Sequence, residues 1–287
     1  MTPHDLAERL ARGGSVQELT GGERPINANR LFRIWVEEGS RIVKVYGTPA
    51  RERRERHALD ALAGLTGLPT LVDSGAEGDI HWALFEDAGQ WSLATLPENP
   101  ALARRAGAIL AGLHNSETEL MTNMTRGIDQ EWISVDFIST FKRLARYRGR
   151  IGLSSELMEA ARGVRPPFAS PPRSAHTNAT PDNFLVDDDG QVTLINWEWA
   201  TLAPPEWDLS KAIWLAGLES GPASAAGIEE GYGKEIDQAQ LDRWTVYHSG
   251  MMLVAEAENR ISGRLAGLDH LIGELQRAVA GATSALS

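Results

Sequence analysis

Cysteine is absent from the 287-residue chain, which excludes disulfides, thiolate metal sites and cysteine nucleophiles together. No apolar run reaches the roughly 20 residues that cross a bilayer, so no membrane role is expected. The opening stretch MTPHDLAERLARGG carries Asp5 and Glu8 and lacks the apolar centre of a secretory signal, which makes the cytoplasm the expected compartment. Basic residues are outnumbered, 28 Lys and Arg against 39 Asp and Glu, for a formal net charge of -11. Nucleic acid is therefore not an expected partner, because phosphate backbones need a basic surface. The acidity suits a cationic ligand or plain solubility. Tyrosine is scarce, four residues against nine tryptophans, and most of the indoles are expected in a core or in pocket walls.

What is present is patterned. Leu6 and Leu10 lie four apart in a short amphipathic helix over residues 4–12, ended by Gly13-Gly14. LFRIWVEEGSRIVKVY alternates apolar and polar residues about Glu37-Glu38-Gly39-Ser40, a hairpin pattern. After Gly47-Thr48-Pro49, residues Ala58, Leu59, Leu62 and Leu65 recur at helical spacing over a charged opposite face. LPTLVDSG and DIHWALFEDAG read as two further strands. From about Ser92 helical patterns dominate, as where Leu102, Ala106, Ile109, Leu110 and Leu113 share a face. Phe184-Leu185-Val186 and Val192-Thr193-Leu194-Ile195 are short strands about the turn residues Asp187-Asp188-Asp189-Gly190. The expected fold class is α+β and bilobal. A small β-rich lobe with an inserted helix covers residues 1–88, and a larger, mostly helical lobe covers 89–287.

Four pieces stand in order along the chain: Lys44 in the strand RIVKVY, Glu55 in the following helix, the loop His176, Asn178, Asn183, and Asn196 after the second hairpin. Each alone is weak, since a lysine on an edge strand is ordinarily solvated and Glu55 within RERRER reads as half of a surface ion pair. In this order they match the parts of a kinase, namely a strand lysine on the phosphates, a helix glutamate holding it, a loop with base and Asn, and a metal-binding acid. Phosphoryl transfer asks chiefly for positioning of phosphates, metal and acceptor hydroxyl.

The chain resembles the aminoglycoside phosphotransferase family, small-molecule kinases of protein-kinase-like fold that also include choline, homoserine and fructosamine kinases. The family pattern H-G-D-x-x-x-x-N-x-L-V, I-D-W-E and D-L is met by His176-Thr177-Asn178, Asn183-Phe184-Leu185-Val186, Ile195-Asn196-Trp197-Glu198 and Trp207-Asp208-Leu209. The resemblance implies ATP or another nucleoside triphosphate and Mg as cofactors, with a small-molecule acceptor. It implies that Lys44 contacts the phosphates, that Glu55 orients it, and that Asn183 binds metal. It further implies that Phe85, Glu86 and Ala88 line the adenine pocket and that Thr20 to Asn29 cover the phosphates.

Two departures matter. Asn178 stands at the base position and Asn196 at the second metal position, where the family carries aspartates. An amide keeps the shape of a carboxylate, yet it accepts no proton as a base and offers Mg only a neutral oxygen. Loss of a general base alone commonly costs about 10²- to 10⁴-fold. Phosphoryl transfer is expected to be nearly absent. Asp182 is expected to point away from the site, and Glu198 to give a metal little help. Three readings stay open: an engineered inactive kinase, a pseudokinase that binds a small molecule, peptide or partner enzyme, or a nucleotide binder with altered chemistry. Glu256 and Glu258 are candidate acceptor contacts, although two residues apart they do not share a helical face.

Overall fold

A computed structural model describes residues 1–20, 28–116, 127–165, 167, 170–234, 237–258 and 267–284. Of the loop expected to cover the phosphates, residues 21–27 lie outside these. Helix α1 (Pro3–Leu10) starts at a reciprocal capping box between Thr2 and Asp5. Strands β1 (Val16–Glu18), β2 (Arg30–Val36), β3 (Gly39–Tyr46), β4 (Leu71–Glu77) and β5 (Ile80–Glu86) form an antiparallel sheet in the order β1-β2-β3-β5-β4. Leu6 and Ala7 of α1 close one face of it against Phe32, Ile34 and Val43. Lys44 sits on β3 between Leu31 of β2 and Ala83 of β5, so its strand is internal and its side chain is buried. The edge-strand expectation fails because β5 follows β4 back into the middle of the sheet.

Helix α2 (Pro49–Ala61) begins with proline, whose missing N–H costs nothing in a first turn. Its charged sequence hides an inner face, where Glu52 and Glu55 are buried beside Ala58 and Leu59. The short strand β6 (Trp91–Ser92) leads into the helical lobe of α3 (Pro100–Asn115), α4 (Gln130–Tyr147), α5 (Ser155–Gly163), α6 (Pro205–Glu219), α7 (Pro222–Tyr232), α8 (Gln238–Ala257) and α9 (Leu268–Ser284). One core runs from Tyr46 and Phe85 of the sheet lobe through Phe184 and Trp197 to Leu110 and Ile228. A second gathers Phe141, Trp207, Trp244, Tyr247 and Leu275. Five tryptophans are buried, whereas Trp35, Trp91, Trp132 and Trp199 are exposed. Among the described residues no helix is long and apolar enough to cross a membrane.

Between α3 and α7 the backbones approach closely over glycine. A methyl group at Gly107 would strike the Ile228 carbonyl oxygen and stand 2.9 Å from the Tyr232 amide nitrogen. Alanine is the better helix former by about 1 kcal/mol, but a backbone obstacle cannot rotate away. Gly107→Ala is expected to lower stability by roughly 1–3 kcal/mol, read from urea denaturation midpoints.

The segment expected to carry the chemistry is pinned by two small sheets. Strand β7 (Arg173–Ala175) pairs with β10 (Thr201–Ala203), and β8 (Phe184–Val186) pairs with β9 (Val192–Leu194) and β6. Asp187 shapes the β8–β9 turn by accepting from the amides of Asp189 and Gln191. Two residues of this region adopt left-handed backbone, Thr177 at φ 62° and Asn196 at φ 67°. Asparagine tolerates that region, but for the β-branched Thr177 it stores strain. The strained turn is held because Thr177 Oγ1 donates to the Trp199 carbonyl at 2.8 Å and Trp207 Nε1 donates to the Thr177 carbonyl at 3.0 Å.

Candidate active site

The cleft between the lobes begins with a buried ion cluster. Lys44 Nζ lies 2.7 Å from Glu55 Oε2 and 3.2 Å from Glu198 Oε2. Glu55 also accepts from Tyr46 OH at 2.7 Å and from the Trp197 amide at 2.8 Å, so one carboxylate ties β3, α2 and the segment after β9 together. Burial, and after it the Glu55 charge, push the Tyr46 hydroxyl far above the usual phenol range and keep it a donor. Glu198 is held in turn by Asn29 Nδ2, and Arg51 lies 3.9 Å away. Glu198 thus serves the lysine side of the cleft.

Beside Lys44 opens an apolar slot of about 270 Å³, lined by Ile42, Phe85, Glu86, Ala88, Leu185 and Ile195 among others. Phe85, Glu86 and Ala88 do come together there. A second cavity of about 440 Å³ lies on the helical side, with Asn178, Asp182, Asn183, Lys211, Trp132 and Asp136 in its wall. Asn196 borders both. Asp182, expected to point away, lies in the wall of this second cavity, on the 3₁₀ turn Pro181–Asn183. Glu258 is drawn off by Arg143, both carboxylate oxygens lying 2.7 Å from Arg143 Nη2.

Across the junction runs a row of amides. Lys44 Nζ donates to Asn196 Oδ1 at 3.0 Å, Asn196 Nδ2 to Asn183 Oδ1 at 2.7 Å, and Asn183 Nδ2 to the Asn178 carbonyl at 2.8 Å. The row ends where Lys211 Nζ donates to Asn178 Oδ1 at 3.0 Å. An ammonium only donates, so Asn196 must turn its oxygen to Lys44 and its NH₂ to Asn183, which orients Asn183 in turn, while Lys211 orients the Asn178 amide in the same way. A divalent cation does not fit this arrangement. The oxygens of Asn183 and Asn196 are neutral and already engaged, and no group of three His, Cys, Asp or Glu able to hold a metal occurs among the described residues.

His176 stands behind the loop and not in the cavity wall. Its Nε2 donates to the Ile195 carbonyl at 2.8 Å, its backbone amide donates to Asp208 Oδ2 at 2.7 Å, and its ring meets Trp197 edge-on at 4.8 Å. Burial drives its pKa down, against the opposing charge of Asp208. Asp208 is completely buried on α6 and also faces His114 Nε2 at 3.5 Å. Burial pushes its carboxyl up, but the hydrogen bonds and charges of His114 and His176 prevail and hold it below the usual carboxylate range. Sequence reasoning noted the Asp208 motif without a role and missed Lys211. The missing signal was available: Lys211 lies one helical turn beyond Asp208 and so on the same face of α6.

A β-sheet lobe bearing a Lys–Glu pair, hinged over a helical lobe that carries an H-x-N-x₄-N loop, defines the kinase-like class of small-molecule phosphotransferase folds. The family model described as phosphotransferase enzyme family, APH, matches residues 23–244, and the chain belongs to that family. Among solved structures it is similar to spectinomycin phosphotransferase APH(9)-Ia in complex with ADP and spectinomycin, at TM-score 0.65 and 15% identity over 98% of both chains. It is also similar to the GDP complex of a variant aminoglycoside 2'-phosphotransferase-IIIa, at TM-score 0.68 and 14% identity over 95% of this chain and 94% of that one. Macrolide 2'-phosphotransferase MphH from Brachybacterium faecium matches at TM-score 0.65 and 14% identity, covering 98% and 97%. Comparison with curated protein sequences gave no significant match.

Proposed function

We propose that the chain is a cytoplasmic nucleotide-binding member of this family, a pseudokinase that retains the cleft for ATP and a small acceptor while transferring phosphate hardly at all. The observation that carries the reading is the amide row. The Lys44–Glu55 pair and the apolar slot are kept, and both positions that would move a proton or anchor a metal are asparagine. The slot of about 270 Å³ beside Phe85 and Ala88 suits a purine ring, and the Lys44–Glu55 pair at its inner end suits the first phosphates. The ADP and GDP complexes of similar folds support the same assignment. The cavity of about 440 Å³ has the size of a small-molecule site, which favours a small acceptor or effector over a folded partner. Isothermal calorimetry with ATP tests this. Saturable binding is expected; absence of binding at millimolar ATP sinks the nucleotide reading.

A further inference from the structure

The two ends of the amide row differ in one respect. Lys44 is matched by Glu55 and Glu198. Lys211, at the other end, has no carboxylate within ion-pair distance among the described residues, and its hydrogen-bond partner is the neutral Asn178 amide. Asp208 lies on the same face of α6 and its charge acts on Lys211, but its Oδ2 is committed to the His176 amide and to His114, and its buried Oδ1 makes no hydrogen bond. An acid at position 178 would have neutralised Lys211. Asn178 leaves that charge to be matched from the helical-side cavity, which meets the nucleotide slot at Asn196. Desolvation lowers the Lys211 pKa to about 8, and the Asp208 charge offsets part of that shift. At the same junction Asn196 Nδ2 covers the Asn183 oxygen that a metal would need.

We propose that Lys211 and Lys44 together hold the phosphate chain of the nucleotide in place of a divalent cation, with Lys211 on the terminal phosphate. This rests on the nucleotide reading above. The geometry supports it because the row between the lysines offers no carboxylate to repel an anion. Three carboxylates stand in the helical-side wall: Asp136, which accepts from Tyr247 OH and Thr140, and Asp182 and Glu219, which oppose an anion.

Calorimetry of adenosine, ADP and ATP, each in EDTA and in excess Mg²⁺, is the test. ATP is expected to bind in EDTA, more tightly than ADP, and Mg²⁺ to leave that affinity unchanged or lower it by competing for phosphate oxygens. Lys211→Met is expected to weaken ATP about 10-fold or more, the worth of a charge-assisted hydrogen bond, while adenosine binding reports an intact slot. Lys211→Arg is expected to keep most of the affinity, and Asp182→Asn to tighten it. Tighter ATP binding in Mg²⁺, or an ATP affinity indifferent to Lys211→Met, overturns the proposal while leaving the nucleotide reading intact. Failure of adenosine and ATP alike to bind the wild-type chain removes the nucleotide reading itself.

Discussion

The double variant Asn178→Asp/Asn196→Asp is expected to release ADP from ATP, with Mg²⁺ present, at least about 10²-fold faster than the wild-type chain. Position 178 lies in the cavity wall where an acceptor hydroxyl or water would stand, and a carboxylate there can take its proton. Position 196 acts differently. An aspartate there has no N–H to place against Asn183 Oδ1, so that oxygen and a new anionic one become open to a cation, while Lys44 keeps its acceptor. Neither single change supplies both functions, so the gain is expected to be strongly non-additive. Basal ATP turnover is the right readout, because it needs no knowledge of the acceptor. No rise in turnover, with ATP binding preserved, would mean that more than two acids separate this chain from an active kinase.

Loss of the Asp208 carboxylate is expected to be the most destabilising single change around the site. Asp208 is wholly buried, accepts from the His176 amide at 2.7 Å and faces His114 Nε2 at 3.5 Å. Asp208→Ala strands both partners in a dry core, and breaking such a buried set costs about 3–5 kcal/mol. Asp208→Asn keeps an acceptor for the amide and is expected to cost less. The pH dependence separates charge from shape. A carboxyl held below its unfolded value contributes stability that is present at neutral pH, begins to fade below the ordinary Asp value of about 3.9, and is lost through its folded value. Asp208→Asn should therefore flatten the acid limb of the stability curve. An unchanged acid limb in urea titrations at successive pH values would show that Asp208 contributes by shape alone.

Much of the fold was legible because it rests on local patterns. Period-two alternation placed the β2–β3 hairpin, helical spacing placed α2 and α3, and turn residues placed β8 and β9. Lys44, Glu55, Asn183 and Asn196 were legible through their order, and they do converge. Other features depend on neighbours far away in the chain. Lys44 is internal only because β5 pairs with β3. Thr177 occupies a left-handed turn that usually asks for glycine, and only its contacts with Trp199 and Trp207 hold it there. Exposed Trp199 stacks under the guanidinium groups of Arg51 and Arg54, a contact that composition does not reveal.

What the residues alone determined is which groups are available: no thiol, a strand lysine with a helix glutamate, and asparagine at both positions that need an acid. Those follow from residue type, since an amide is neither base nor anion wherever it is placed. Only the tertiary structure decided what the amides do instead. By bringing α6 against the 176–183 loop, it set the Lys211 ammonium beside Asn178 and linked it through three asparagines to Lys44, 167 residues away in the chain. Hydrogen-bond direction and charge balance depend on distances of about 3 Å, and no spacing along a chain encodes them.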